Sequence, residues 1–159
     1  MKALDVACVI NARYYAEHGV RIDEMKLHKM LYFAQRESFA RRGVPLFDED
    51  ILAWQFGPVV GEVRIAYRND KIPYRESKHI AVEERKIIDY VYTSYANKKS
   101  WSLSRLTHAE QSWKKARRRR LGPGGGHRLI SISDIKKDAQ RVNERRHLLK
   151  ELGLLKDVC

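Results

Sequence analysis

The histidines are the residues of this sequence best suited to acid–base or metal chemistry. A neutral imidazole can accept a proton near neutral pH or bind zinc, but a metal site needs ligands at short, regular spacing. No two histidines lie three to five residues apart, and none belongs to a His-Glu-x-x-His helix motif. The sequence therefore predicts neither a metal site nor a histidine-based catalytic site. The histidines that could in principle supply bases or ligands are His28, His79, His108, His127 and His147.

Three further patterns resemble catalytic or cofactor motifs but lack essential parts. Residues 108–110 (His-Ala-Glu) have the His-x-Glu order of zinc deaminases, yet no Pro-Cys-x-x-Cys follows. The glycine-rich loop Gly122–Gly126 lacks the Lys-Ser/Thr pair of a P-loop. Cys8 and Cys159 have no cysteine nearby to complete a metal or redox spacing, so we expect free thiols. Because these motifs are incomplete, we expect a protein that is not an enzyme and uses no cofactor.

Positive charge is concentrated in the last part of the chain. Residues 97–159 carry 17 Lys/Arg and 6 Asp/Glu, whereas residues 1–96 carry 15 and 14, so this part supplies nearly all of the net charge of +12. Such a cluster is compatible with a solvated surface, an acidic protein partner or nucleic acid. Six neutralised phosphates of duplex DNA would give a log–log salt slope of roughly −5. The predicted basic patch consists of Lys114, Lys115, Arg117, Arg118, Arg119, Arg120 and Arg128.

The elements that hold these residues are predicted to be mostly α-helical. Apolar residues at three- and four-residue spacing favour about six helices, with Asp23 and Ser131 as N-caps and Ser102 as the cap of a short fifth helix. Short apolar runs at residues 51–56 and 128–132 predict a small two- or three-stranded β element. We expect one compact domain over residues 1–159, with a basic, glycine-rich loop at 114–127 inside it.

The segment from Trp54 to Val60 combines an aromatic run with a Gly-Pro pair. Trp54 is either an exposed partner anchor or a core side chain, and its position just before the Gly-Pro pair favours packing. Gly57-Pro58 predicts a turn from a strand into a third helix, with Pro58 in the first helical position because that position needs no N–H donor.

Five stretches of the chain, taken together, carry a family resemblance. They are Lys26 to Gln35, Pro45 to Phe47, Ala53 to Val60, Tyr67-Arg68 and Leu103 to Trp113. In order and content these stretches resemble the Panacea domain, also called the SocA-like antitoxin domain, over about residues 3–145. The residues that match the family's motifs are Lys29, Tyr32, Trp54, Gly57, Pro58, Val59, Tyr67, His108 and Trp113.

The resemblance implies an antitoxin of a prokaryotic, phage or prophage toxin–antitoxin pair that neutralises a cognate toxin by direct protein contact. The partner-binding candidates are Trp54, Arg64, Tyr67 and Arg68. Two alternatives stay open, namely a nucleic-acid-binding regulator that uses the basic last third and an adaptor that presents a partner to a protease. No long apolar run is present and Asp5 interrupts any early one, so we expect a cytoplasmic protein without membrane contact.

Overall fold

The computed structural model describes residues 1–76, 78–119, 121, 123 and 128–155. Within these residues the chain is mostly α-helical, with seven helices and one small antiparallel sheet. The elements are α1 (Ala3–His18), α2 (Glu24–Arg42), β1 (Leu52–Trp54), β2 (Gly57–Val59), α3 (Gly61–Arg68), α4 (Val82–Tyr95), α5 (Ser100–His108), α6 (Gln111–Arg118) and α7 (Ile132–Glu151).

Helix α2 is the central element of the fold. The Asp23 carboxylate accepts a hydrogen bond from the Lys26 N–H at 3.1 Å and caps its first turn, as predicted. Gly43 ends it in the left-handed conformation, with φ of 71°. Helices α1, α3, α4, α5 and α7 and strand β2 all pack against it. Every residue from Lys26 to Phe39 is consequently buried, which fits the broad apolar stripe in the sequence.

Two buried charges of α2, Arg36 and Glu37, are paired with residues later in the chain. Glu37 accepts two hydrogen bonds of 2.9 Å from the Arg146 guanidinium of α7. Arg36 forms an ion pair with Glu110, which precedes α6. Because unpaired charges are unfavourable in a protein interior, these pairs fix how α2 meets the C-terminal helices.

Strands β1 and β2 form a hairpin, and we call residues 52–59 the hairpin. Leu52 pairs with Val59, and Trp54 pairs with Gly57. On the outer edge of β1, Leu129 forms an isolated bridge with Leu52, and the Ala53 N–H donates to the Arg128 carbonyl at 2.7 Å. The predicted small β element is therefore confirmed, with its third piece reduced to a single bridge.

The predicted role of Gly57-Pro58 is wrong. These residues form strand β2 instead of leading directly into a helix, and Pro58 pairs with Ala53 rather than occupying the first helical position. Helix α3 begins at Gly61, with Val60 as its N-cap. The sequence signal was ambiguous, because a Gly-Pro pair is found both in hairpins and just before helices.

The region predicted as one short fifth helix contains two helices. Helix α5 starts one turn earlier than expected, with Lys99 rather than Ser102 as its N-cap, and α6 follows after Ala109 and Glu110. The first residues of the predicted 114–127 loop belong to α6, which extends to Arg118. Arg120, His127 and the glycines of that loop lie outside the described residues.

The last helix begins where the sequence predicts. The Ser131 hydroxyl accepts a hydrogen bond from the Asp134 N–H at 3.3 Å and caps α7, as predicted. None of the described helices is long and apolar enough to cross a membrane.

Candidate functional site

A cavity of about 380 Å³ opens where the hairpin crosses the first half of α2 and the start of α3. We call it the hairpin cavity. Its wall is largely apolar, and several ionisable side chains reach into it from below and from one side. The lining residues are Glu24, Met25, His28, Lys29, Trp54, Gln55, Phe56, Gly57, Val59 and Arg64.

Lys29 is a buried lysine at the floor of the cavity. Its side chain is 2% exposed, and its Nζ donates to the Pro58 carbonyl at 3.4 Å. Burial lowers the pKa of Lys29 from 10.5 to about 8, although the charges of Asp23 and Glu24 act in the opposite direction. The lysine therefore carries a positive charge at neutral pH in a position shielded from solvent.

Gly57 covers the Lys29 side chain and can be no other residue without a rearrangement. Its φ of 116° is a conformation that side chains resist. A Cβ atom here would lie 2.7 Å from Lys29 Cε and 2.8 Å from Thr107 Oγ1. The glycine thus lets the hairpin backbone close directly over the lysine.

His28 lies beside Lys29 and is also 2% exposed. Its Nδ1 accepts a hydrogen bond from the Val60 N–H at 3.1 Å, and burial lowers its pKa. A neutral ring that accepts at Nδ1 carries its proton on Nε2. Nε2 is 3.9 Å from Glu24 Oε1, beyond hydrogen-bond distance, and has no partner among the described residues. The cavity therefore contains a second buried donor, which feels the Glu24 charge at 3.9 Å but makes no hydrogen bond within the described residues.

Glu24 is held at the side of the cavity by two arginines of α3. Arg64 lies 3.0 Å from its carboxylate and Arg68 3.5 Å. The adjacent His28 side chain, then Arg68 and Arg64, lower the pKa of Glu24 to about 2. The Arg64 guanidinium also lies over the Trp54 ring, 4.6 Å from its centroid. Glu24 is therefore ionised at neutral pH and paired with two cations of α3.

Three large aromatic side chains lie at the cavity or next to it, and we call Trp54, Phe56 and Trp101 the aromatic rim. Trp54 and Phe56 line the cavity, and Trp101 contacts Phe56. Trp54 is half-buried, whereas Phe56 is 50% exposed and Trp101 60% exposed. Phe56 and Trp101 meet edge to face, with ring centroids 5.5 Å apart. Exposed aromatic rings next to a cavity are typical of protein-binding surfaces.

Helices α5 and α6 support the rim from behind. Ser104 donates to the Phe56 carbonyl at 2.6 Å, and Trp113 Nε1 donates to the Trp54 carbonyl at 3.0 Å. His108 stacks on Trp113 with 4.1 Å between ring centroids. The later family-motif residues, His108 and Trp113, therefore position the hairpin rather than line the cavity.

Two tyrosines of the family motif also have structural surroundings. The Tyr32 hydroxyl is buried 2.8 Å from Ser112 Oγ and 3.1 Å from Asp138, linking α2 to α6 and α7. The Tyr67 hydroxyl donates to the Ile22 carbonyl at 2.7 Å and joins α3 to the segment before α2. Neither tyrosine lines the hairpin cavity.

The structure divides the predicted site residues into two groups. Of the partner-binding candidates, Trp54 and Arg64 line the cavity, whereas Tyr67 and Arg68 lie beyond it. Of the family-motif residues, Lys29, Trp54, Gly57 and Val59 line the cavity, and Pro58 supplies the carbonyl that Lys29 binds. Six other residues contribute to the cavity and the aromatic rim but were not among the predicted site residues. They are Glu24, Met25, His28, Gln55, Phe56 and Trp101.

The described members of the predicted basic patch differ in their surroundings. Arg117 donates to the Ala53 carbonyl at 3.1 Å, and Lys115 pairs with Asp134 at 3.1 Å. Arg118 and Arg119 are exposed. The remaining members differ in placement, because Lys114 and Arg128 are half-buried and Arg120 lies outside the described residues. A second cavity, of about 350 Å³, lies between α6 and α7 and is lined in part by Lys115, Arg118, Lys137 and Arg141.

Among the described residues, no group of three or more His, Cys, Asp or Glu side chains is placed to hold a metal ion. The hairpin cavity combines an apolar wall, two buried nitrogen donors and neighbouring aromatic rings.

Fold and site together define a small, mostly helical domain with a largely apolar cavity under a β-hairpin. The family of SocA-like antitoxins, the Panacea domain, matches residues 27–114, and the chain belongs to that family. The matched segment contains the cavity-lining residues from His28 to Arg64, whereas Glu24 and Met25 precede it, and it ends within α6. Membership connects the chain with toxin–antitoxin systems. Neither a curated protein nor a solved structure matches the chain.

Proposed function

We propose that this protein is an antitoxin that neutralises a cognate toxin by direct contact, through the aromatic rim and the hairpin cavity. Within the family assignment, the observation that carries the proposal is the exposed edge-to-face pair of Phe56, on the hairpin, and Trp101, in the first turn of α5. Rigid aromatic anchors contribute much of the binding free energy at protein interfaces, at roughly 2 kcal/mol or more each. The protein acts by binding and performs no chemistry on the toxin.

The site is built so that binding requires little reorganisation. The hairpin is tied to α5 by Ser104, to α6 by Trp113 and to α2 by Lys29. A surface fixed in advance loses less conformational entropy when a partner docks. A preformed, largely apolar surface fits an antitoxin that must hold its toxin tightly.

Co-expression with the product of the neighbouring gene tests the proposal. We expect the neighbour to stop growth when expressed alone, and growth to return when this protein is present. The double variant Phe56→Ala/Trp101→Ala should abolish the rescue while remaining folded. The double variant Val82→Ala/Leu148→Ala removes equally exposed apolar side chains from α4 and α7, and it should rescue fully. Rescue by the aromatic variant would place the contact elsewhere.

Two alternatives predicted from the sequence have their own tests. A nucleic-acid-binding regulator would use the exposed Arg118 and Arg119, and would retard its upstream DNA in a gel at low salt but much less at high salt. An adaptor would shorten the toxin's half-life in cells that contain the protease, whereas direct neutralisation leaves that half-life unchanged or longer.

A further inference from the structure

Two buried nitrogen donors face the hairpin cavity with most of their hydrogen-bonding capacity unused. The Lys29 ammonium has three N–H bonds, and the Pro58 carbonyl at 3.4 Å is the acceptor that it reaches among the described residues. His28 Nε2 has no hydrogen-bond acceptor among the described residues. Both side chains are 2% exposed and both line the cavity. Groups of this kind are normally satisfied, so their arrangement indicates a ligand that brings an acceptor.

We propose that the hairpin cavity binds a carboxylate of the partner protein, attached to an apolar group that lies against Trp54. The Lys29 ammonium and the His28 Nε2–H donate to the carboxylate oxygens. This inference rests on the proposed function for the identity of the partner as a protein, while the chemistry of the cavity stands on its own geometry.

A carboxylate matches the charge of the site. Lys29 is a single buried cation, so one negative charge compensates it, and charge-assisted hydrogen bonds are strongest where water is excluded. Glu24 does not act as that acceptor in the structure, because Arg64 at 3.0 Å and Arg68 at 3.5 Å hold its Oε1 atom, which lies 3.9 Å from His28 Nε2. The ionised Glu24, which also lines the cavity, would repel a doubly charged phosphate more strongly than a singly charged carboxylate.

An apolar group next to the carboxylate matches the wall. Met25, Trp54 and Val59 line the cavity above the two donors. A volume of about 380 Å³ is much larger than a carboxylate and holds one or two amino-acid residues. The occupant is therefore an acidic side chain beside an apolar residue, or an apolar residue at a chain end whose terminal carboxylate enters the site.

The test uses the full-length protein, labelled with ¹⁵N, and small acetylated dipeptides as probes. Acetyl-leucyl-glutamyl-amide carries a side-chain carboxylate, and acetyl-glutaminyl-leucine carries a terminal one. Acetyl-leucyl-glutaminyl-amide and acetyl-glutaminyl-leucinamide are their neutral counterparts. The readouts are the NMR signals of the Trp54 indole N–H and the Gly57 backbone N–H.

We expect saturable shifts from at least one acid, with an apparent dissociation constant at least tenfold lower than that of its amide. The acid that binds identifies the source of the carboxylate. Lys29→Met should remove the preference for the acid. Lys26→Met is the matched control, since Lys26 is a buried lysine of the same helix whose Nζ donates to the Ala96 carbonyl at 2.8 Å, away from the cavity. It should bind the probes like the unchanged protein.

Equal binding of acids and amides, binding that survives Lys29→Met, or no saturable shift at the solubility limit of the probes would each overturn the inference. With the toxin, Lys29→Met should weaken binding at least tenfold and Lys26→Met should not. If the probes bind but the toxin still binds the Phe56→Ala/Trp101→Ala variant, the proposed function fails while the carboxylate site stands. If the toxin needs the aromatic rim but the probes do not bind, the proposed function stands and the carboxylate site fails.

Discussion

Lys29 is a charged group at a position where the fold gains little from the charge. Its side chain is 2% exposed and makes one long hydrogen bond of 3.4 Å among the described residues. A buried cation with so little compensation destabilises the folded state, and residues of this kind tend to be retained for function.

Replacing Lys29 with methionine is therefore expected to stabilise the protein. Its pKa is lowered from 10.5 to about 8, so the unfolded chain binds more protons between these values and the free energy of unfolding rises with pH there. Below pH 8 we expect Lys29→Met to be more stable by about 2 kcal/mol, after allowance for the lost hydrogen bond. The difference should shrink above pH 8 and nearly vanish by pH 10.5, as measured by urea denaturation. A variant that is less stable at pH 7 would contradict this account.

At Gly57, strain and contact can be separated by comparison with two other glycines. Gly57→Ala places a Cβ at φ of 116° and within 2.8 Å of two side chains, so we expect a loss of about 3 kcal/mol. Gly43→Ala keeps a positive φ, of 71°, but meets no atom within 4 Å, and should lose about 1 kcal/mol. Gly61→Ala has ordinary backbone and a single contact at 3.9 Å, and should change stability little. Thermal denaturation measures all three, and equal losses at Gly57 and Gly43 would rule out the contact.

At the scale of elements, the packing of α2 against α7 depends on Glu37. This carboxylate is 1% exposed and accepts hydrogen bonds from Arg146 at 2.9 Å and from Arg41 at 2.5 Å. Arg146 also donates to the Tyr90 hydroxyl of α4 at 3.0 Å. One acidic side chain thereby connects three helices.

We expect Glu37→Gln to lower the free energy of unfolding by about 2 kcal/mol at pH 7, because two arginines lose a charged partner but are exposed enough to be partly hydrated. Burial raises the pKa of Glu37, but Arg146 and Arg41 together lower it by more, so the pKa lies below its usual 4.5. The stabilisation is thus present above pH 4.5 and is lost as the pH falls below it, so the two proteins should converge in acid. Glu144→Gln alters an exposed carboxylate on α7 and serves as the control, with a change within about 0.5 kcal/mol.

The elements were predictable where a local signal decides them. Asp23 and Ser131 cap their helices because a short polar side chain satisfies free N–H groups whatever the tertiary structure. Gly57-Pro58 was ambiguous because a hairpin and a helix start share that signal, and pairing with β1 decided between them. The burial of Lys29 and His28 was not predictable, since it depends on the hairpin closing over α2 from residues about 30 positions away.

At the scale of the whole molecule, the uneven charge affects how fast a partner arrives. Long-range attraction raises association rates for an oppositely charged partner and is weakened by salt. The exposed Arg118 and Arg119 lie on the basic part of the chain, whereas the hairpin cavity recognises its ligand at short range.

For an acidic toxin, we expect Arg118→Glu/Arg119→Glu to lower the association rate constant on the order of tenfold at low salt, with little change in dissociation. Lys71→Glu/Arg75→Glu makes the same change in net charge in the balanced part of the chain and should have a smaller effect. Stopped-flow mixing at two salt concentrations measures both. Equal effects would mean that net charge alone matters.

The placement of the tryptophans gives the protein an intrinsic optical reporter. The chain has three, and all lie around the hairpin: Trp54 on the cavity wall, Trp101 in the rim and Trp113 bound to the Trp54 carbonyl. A partner that covers the rim must change the polarity around the exposed indoles and so shift their emission. A ligand confined to the second cavity, between α6 and α7, leaves Trp54 and Trp101 in their present surroundings. Unlabelled protein can thus distinguish the two faces by fluorescence.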